Sequence, residues 1–115
     1  MPTRIQRKRT YGFRLPPNTV CVNRGTKWGN PFKVADYGRE EAIQMFRDCL
    51  LNASMCYIYL DIKKAWIQYN RFLWMANNMD IIRNADYVAC FCPLYAACHG
   101  DVLIEMAEYP HTHEH

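Results

Sequence analysis

The sequence contains no acidic residue before position 36 and no long hydrophobic run. No stretch approaches the ~20 consecutive apolar residues that a membrane-spanning helix requires, so we expect no membrane partner. The basic residues of positions 1–9 are not followed by an apolar core, and the pattern of a secretory signal peptide is therefore missing. Internal repeats and low-complexity tracts are also absent. Together these absences predict a cytoplasmic globular protein.

The composition is that of one folded domain. Half of the 115 residues are hydrophobic and 22% are charged, which is enough apolar material for a single core. We expect residues 1–110 to form one domain with a basic N-terminal segment, followed by a polar tail at 111–115. Because cytoplasmic proteins keep their thiols reduced, the six cysteines are interpreted as free thiols or metal ligands and not as a disulfide framework.

The charge is distributed unevenly. Residues 1–35 contain eight lysines and arginines, whereas residues 36–115 contain six basic and eleven acidic side chains. Such asymmetry indicates a basic face that binds a phosphate or a polyanion, so a nucleotide or nucleic acid is the expected partner. The alternative is that the basic segment docks on the acidic remainder of the chain. The oligomeric state cannot be inferred.

Hydrophobic periodicity predicts a small α/β (or α+β) domain. The predicted elements are a strand at 19–23, a helix at 39–52, a helix from its N-cap Asp61 to about 77, a strand at 86–92 and a helix at 99–108. Residues 1–18 are interpreted as basic and then turn-like, and residues 53–60 fit a strand or a continued helix. In the second helix the spacing places Trp66 on the buried face and Trp74 off it. This order predicts a few-stranded sheet packed by about three helices.

The segment 87–103 gathers thiols around a predicted helix start. Cys90 and Cys92 share one face of a strand, and Cys98 and His99 stand where the free N–H groups of the next helix point. A helix N-terminus lowers a thiol pKa, so Cys98, His99 and Asp101 are candidate catalytic residues. Neighbours on a helix do not face each other, so His99 is a poor base for Cys98 unless the helix begins after them.

Two other interpretations of the thiols stay open. Cys90, Cys92, Cys98 and His99 could ligate zinc, although a Cys-x-Cys pair followed by an adjacent Cys-His is an unusual spacing for this metal. Alternatively, the cysteines only pack, because a buried free cysteine behaves as a small hydrophobic residue. No other cofactor is indicated.

The turn at residues 24–32 is the second candidate site. Its glycines, its hydroxyl and its cations are the parts of an anion cradle, although its spacing matches neither a P-loop nor a dinucleotide fingerprint. A tryptophan beside them suggests stacking on a base. The alternative is a surface turn with solvated charges. The candidate phosphate- or substrate-binding residues are Arg14, Arg24, Thr26, Lys27, Trp28 and Asn30.

Several motifs resemble those of one family, the small bacterial and phage proteins of DUF4326, a domain of unknown function. The resemblance rests on Arg-Lys-Arg-Thr-Tyr-Gly-Phe-Arg-Leu-Pro at 7–16, Asn-Thr-Val-Cys-Val-Asn-Arg at 18–24, Thr-Lys-Trp-Gly-Asn-Pro-Phe at 26–32, Ala-Cys-Phe-Cys-Pro at 89–93 and Cys-His-Gly-Asp-Val-Leu at 98–103. It implies that these remote motifs belong to one unit. The occurrence of the family in phages implies nucleotide or nucleic-acid metabolism by association, in the host cytoplasm if the protein is phage-encoded. Residues 53–79 depart from the shorter middle expected, so that helix is interpreted as an elaboration.

Two hypotheses about function follow. The first is an enzyme acting on a nucleotide or a nucleic-acid base, with a phosphate-binding turn and a Cys-His site at a helix N-terminus. The second is a non-catalytic module that binds nucleic acid or a virion partner, with or without a stabilising Cys/His metal site. The reaction type and the substrate cannot be read from the sequence.

Overall fold

Three short strands form a parallel sheet at the centre of the fold. The computed structural model describes residues 1–108, so the predicted tail at 111–115 lies outside the described residues. The strands are β1 (Thr3–Gln6), β2 (Thr19–Cys21) and β3 (Tyr87–Cys90). β3 lies between the other two, and Tyr87 aligns with both Thr3 and Thr19. Because all three strands run in one direction, their carboxyl ends meet at one edge of the sheet.

Helices complete the α/β fold that the sequence predicts. They are α1 (Val34–Tyr37), α2 (Arg39–Leu51), α3 (Cys56–Tyr59), α4 (Ile62–Asn77), α5 (Met79–Arg83) and α6 (His99–Ala107), with a 3₁₀ turn (Ala53–Met55) before α3. Asp61 caps α4 as predicted, because its Oδ1 accepts a hydrogen bond from the backbone N–H of Lys64 at 3.1 Å. Among the described residues, no helix is long and apolar enough to cross a membrane.

The sequence analysis missed one strand and overestimated the length of another. Residues 1–18 were interpreted as lacking regular structure, yet Thr3–Gln6 form an edge strand of the sheet. This segment has a single large apolar residue, Ile5, and its ladder depends on residues more than eighty positions away. The strand predicted at 86–92 is present but shorter, since β3 spans Tyr87–Cys90. Of the two alternatives left open for residues 53–60, the helical one is confirmed.

The assignment of the tryptophans on α4 was also wrong. Trp74 is partly buried and its ring centroid lies 5.0 Å from that of Trp28, which is 5% exposed. Trp66 is instead 61% exposed. Deeper in the core, the Phe46 ring of α2 meets Phe72 of α4 on one side and His99 of α6 on the other. The helix that the sequence marked as an elaboration therefore supplies part of the core.

Candidate functional site

A cleft of about 670 Å³ opens at the carboxyl edge of the sheet. Arg7 follows β1, Asn23 and Arg24 follow β2, and Phe91 and Cys92 follow β3, and all five line the cleft. In open sheets with parallel strands, ligands bind outside the carboxyl ends of the strands. The volume is that of a site for a small organic ligand. The topology thus places the cleft where a binding site is expected.

Among residues 1–108, four arginines and no carboxylate line this cleft. The guanidinium carbons of Arg7 and Arg9 lie 4.9 and 4.1 Å from the centroid of the Phe91 ring, within the range of a cation–π contact. Arg7 also donates a hydrogen bond to Oδ1 of Asn23 at 3.0 Å. These contacts hold two cations against an aromatic face at one side of the cleft.

The other two arginines approach from β2 and α2. Arg39 donates to the carbonyl oxygen of Ala97 at 2.9 Å, and the same nitrogen lies 3.7 Å from Sγ of Cys92. Arg24 is exposed, and its side chain makes no hydrogen bond or ion pair within residues 1–108. Arg24 is therefore a cation that is available to a ligand.

Three thiols lie together on the floor of the cleft, and we call them the thiol cluster: Cys90, Cys92 and Cys98. Their sulfurs all lie within 4.8 Å of one another, and those of Cys90 and Cys92 are 3.7 Å apart. The pKa of the Cys92 thiol is lowered because its sulfur accepts hydrogen bonds from Cys90 and Cys98 and faces Arg39. The same hydrogen bonds, together with burial, raise the pKa of the Cys98 thiol. Of these two thiols, Cys92 is therefore the one whose surroundings favour the thiolate, since Arg39 lies beside its sulfur.

Cys98 is the N-cap of α6. Its backbone is extended, its Sγ accepts a hydrogen bond from the N–H of Gly100 at 3.3 Å, and Oδ2 of Asp101 accepts one from the N–H of Cys98 at 3.3 Å. The two bonds form a capping box, which satisfies N–H groups that the helix start leaves free. The cysteine predicted to be catalytic thus has a clear structural role.

His99 is buried beside this cap and is held by the end of β2. Its Nε2 lies 2.6 Å from the carbonyl oxygen of Val22, so this nitrogen carries the proton and donates it. Burial lowers the pKa of the imidazole, which favours the neutral ring. The unprotonated Nδ1 then faces Sγ of Cys98 at 3.8 Å. The two side chains lie close because Cys98 is the non-helical N-cap and His99 is the first residue of α6. The sequence argument allowed such a contact only if the helix began after both residues, and that condition was too strict.

Asp101 lies apart from the cleft. It is exposed, and its Oδ1 accepts a hydrogen bond from Nε of Arg4 at 2.9 Å. One η-nitrogen of Arg4 donates to the carbonyl oxygens of Leu94 and Ala96. Asp101 and Arg4 therefore tie the loop after β3 to the start of α6, and the structure offers Asp101 no contact with a ligand in the cleft.

The turn at 24–32 faces the cleft with only part of its length. Arg24, Gly25, Asn30 and Phe32 line the cleft, whereas Thr26, Lys27 and Trp28 do not. The backbone N–H groups of four of its residues are bonded within the turn or its flanks: Thr26, Trp28, Gly29 and Phe32. These amides are not open to an anion. The charged group that the turn presents to the cleft is the side chain of Arg24.

Asn30 shapes the turn from inside. It is 7% exposed, its Nδ2 donates to the carbonyl oxygen of Ala42 and its Oδ1 accepts from the N–H of Phe32. Both polar atoms of its amide are thus engaged, which makes Asn30 a positioning residue in the wall of the cleft. Gly29 is required by close approach, since a Cβ there would lie 2.5 Å from the carbonyl oxygen of Arg24.

Arg71 of α4 fixes the turn from outside. One of its η-nitrogens lies 2.8 Å from the carbonyl oxygen of Lys27 and 2.9 Å from that of Gly29. Beside it, the ammonium of Lys27 lies 4.9 Å from the centroid of the Trp74 ring. The side of the turn that carries Lys27 and Trp28 is therefore occupied by α4.

The sequence-predicted residues thus divide into two groups. The cleft brings together Arg24, Asn30, Cys90, Cys92, Cys98 and His99. Outside it lie Arg14, which is exposed, and Thr26, Lys27, Trp28 and Asp101. Sequence reasoning did not identify Arg7, Arg9, Arg39 and Phe91 as site residues. A signal for the first two was the basic run at 7–9, which becomes informative once β1 is recognised as a strand of the sheet.

The comparisons with known proteins give one result. The family model described as Domain of unknown function (DUF4326) matches residues 5–109. No curated protein and no solved structure matches the chain. The matched region includes the second half of β1, the turn, the thiol cluster and almost all of the described fold. Because the match covers nearly the whole sequence, the chain belongs to the DUF4326 family.

Proposed function

We propose that the cleft binds a nucleotide and that the protein is an enzyme acting on it. The observation that carries this proposal is the composition of the cleft wall, to which the described residues contribute four arginines and no carboxylate. Like charges confined to one cleft repel each other, and a bound polyvalent anion removes that repulsion. Arginine is also well suited to phosphate, because its planar group donates two parallel hydrogen bonds.

The arrangement of the groups gives the ligand an orientation. Arg24 has no partner in the described chain and is the first candidate for the phosphate. Arg9 stacked on Phe91 offers a flat surface for a base. The thiol cluster with His99 occupies the floor, so the group that reacts would lie over the sulfurs. In this proposal Cys92 replaces Cys98 as the sulfur that lies nearest to the reacting group, because it is the more exposed of the two.

Binding is tested by calorimetric titration of a panel of nucleoside mono-, di- and triphosphates, with the matching nucleosides as controls. Arg24→Ala should weaken nucleotide binding about 10- to 100-fold, the loss of one charge-assisted hydrogen-bond donor. Arg14→Ala is the matched control, because it removes the same charge from an exposed position outside the cleft. Equal affinity for nucleosides and nucleotides, or equal effects of the two variants, would contradict the proposal.

Turnover is tested by separating the products after incubation with the nucleotides that bind. Cys92→Ser should abolish product formation while leaving the affinity within about twofold, because the serine keeps the side-chain volume and removes the thiol. Binding with no turnover in the whole panel would refute the enzymatic part of the proposal and leave the binding part intact.

The second hypothesis, a module that binds single-stranded nucleic acid, is favoured by one observation. Lys8 and Arg14 are exposed and add basic charge outside the cleft. This function predicts binding to any oligonucleotide with an affinity that falls steeply with salt concentration. It also predicts that Arg14→Ala weakens oligonucleotide binding as much as Arg24→Ala. The comparison of these two variants therefore separates the two functions.

A further inference from the structure

The thiol cluster has the composition of a site for a soft metal ion. Its three donors are sulfurs, and no carboxylate lies among them. Thiolates select zinc and other thiophilic ions over magnesium or calcium, which require oxygen ligands. The sulfurs come from two places in the fold, the end of β3 and the N-cap of α6, and the loop at 93–97 joins them. The cluster is thus built by tertiary structure.

The spacing of the sulfurs fits such an ion. Tetrahedral zinc with Zn–S bonds of about 2.3 Å holds its sulfurs about 3.8 Å apart. The sulfurs of Cys90 and Cys92 are already 3.7 Å apart. Since no pair in the cluster exceeds 4.8 Å, Cys98 needs to move by no more than about 1 Å to complete the triad. A change of side-chain torsion can supply a displacement of this size.

Groups around the cluster offset part of the negative charge that three thiolates would carry. The N–H of Gly100 points to Sγ of Cys98 at 3.3 Å, and Arg39 lies 3.7 Å from Sγ of Cys92. Hydrogen bonds of this kind orient metal-bound ligands and offset their negative charge. His99 does not belong to the group of close donors, and its Nε2 is held by the carbonyl oxygen of Val22. Within residues 1–108, the protein therefore supplies three ligands to such an ion.

We propose that Cys90, Cys92 and Cys98 bind one zinc ion whose fourth coordination position opens into the cleft. All three thiols line the cleft, so that position faces the space assigned to the nucleotide. Three protein ligands with an exchangeable fourth position are typical of catalytic zinc, whereas structural zinc has four protein ligands. The metal site does not depend on the identity of the organic ligand.

The test uses the whole protein, dialysed after addition of zinc chloride and assayed for metal by atomic emission. We expect one zinc per chain and, in each of three variants (Cys90→Ser, Cys92→Ser and Cys98→Ser), a fall in zinc affinity of at least about 100-fold, since even outer-shell losses cost 10- to 100-fold. Serine at 98 is a good N-cap, so α6 is preserved. Cys21→Ser removes a half-buried thiol outside the cluster and should keep full zinc content. Circular dichroism verifies folding of each variant.

Cobalt substitution tests the open position. The cobalt protein should show sulfur-to-cobalt charge transfer and tetrahedral bands, and added cyanide should shift them. His99→Gln keeps a donor for the carbonyl oxygen of Val22 and should leave the cobalt spectrum unchanged. Loss of the tetrahedral bands in this variant would make His99 the fourth ligand and overturn the open position. A folded wild-type protein that retains no stoichiometric zinc, with Cys92 freely alkylated by iodoacetamide, would overturn the metal site while leaving nucleotide binding untouched.

Discussion

Replacing Arg71 with methionine would release the turn at 24–32 from α4. Methionine keeps the unbranched stem of the side chain and removes the guanidinium that contacts the carbonyl oxygens of Lys27 and Gly29. Gly29 is buried, so its carbonyl oxygen would lose its donor without gaining full access to water. The variant therefore tests whether a helix outside the cleft sets the shape of the cleft wall.

The magnitude follows from these two hydrogen bonds. Each bond to a charged donor contributes about 1.5–3 kcal/mol, and part of this is offset because the guanidinium no longer has to be desolvated. Burial lowers the pKa of Arg71, so the wild-type guanidinium carries a desolvation cost that methionine does not. We expect the free energy of unfolding to fall by about 2–4 kcal/mol, which moves the urea midpoint by about 1–2 M.

Urea denaturation followed by tryptophan fluorescence is a suitable assay, because Trp28 and Trp74 report on this contact. Lys63→Met on the exposed side of α4 is the matched control and should change the free energy of unfolding by less than about 0.5 kcal/mol. The Arg71 variant should also bind nucleotide more weakly, since Arg24 sits in the released turn. An Arg71→Met protein as stable as the control would show that the turn holds its shape without α4.

Three further perturbations test local contacts. Cys98→Ala should lower the free energy of unfolding by about 1 kcal/mol more than Cys98→Ser in metal-free protein, because only serine can accept the N-cap hydrogen bond; urea denaturation measures the difference. Arg47 lowers the pKa of Glu105, so their ion pair stabilises the fold above the unfolded-state pKa of the carboxyl group and is lost as the pH falls through the folded-state pKa. Glu105→Gln should therefore lower the free energy of unfolding by less than about 1 kcal/mol at neutral pH and leave it unchanged in strong acid. Thermal unfolding across a range of pH measures this difference. A hydrogen bond to Asp48 raises the pKa of Tyr59 to about 12. Asp48→Asn should lower this pKa toward that of a free tyrosine, as followed by ultraviolet titration of the phenol.

The sequence predicted those elements whose signals are local. The helix at 39–52 and the Asp61 N-cap follow from side-chain periodicity and capping chemistry, and both were confirmed. β1 could not be recognised, because a four-residue segment with two polar and one basic side chain becomes a strand only through pairing with β3. Trp74 was assigned to the wrong face since its partner, Trp28, lies in a turn 46 positions earlier in the chain.

The candidate site was predictable to a similar extent. The thiols and His99 lie close in sequence, so the prediction that they cluster needed only a strand, a loop and a helix start. The prediction that backbone amides of the turn face an anion did not take account of Arg71, whose contacts orient the turn. The local sequence does not predict that Arg39, the first residue of α2, lies next to Cys92. This contact depends on the loop at 93–97, whose Ala97 carbonyl oxygen accepts a hydrogen bond from Arg39.

The placement of β1 explains the uneven charge of the sequence. Of the eight basic residues in 1–35, Arg4 alone forms an ion pair within the described part of the chain, and its partner is Asp101. The hypothesis that the basic segment docks on the acidic remainder requires many such pairs, so it does not account for the charge. β1 and β2 lie on either side of β3 and run parallel to it. Arg7, Arg9 and Arg24, which follow β1 and β2, therefore lie at the same edge of the sheet as the thiols at the end of β3. Folding therefore concentrates positive charge beside the sulfurs instead of neutralising it, an arrangement that an anionic ligand or metal-bound thiolates would stabilise.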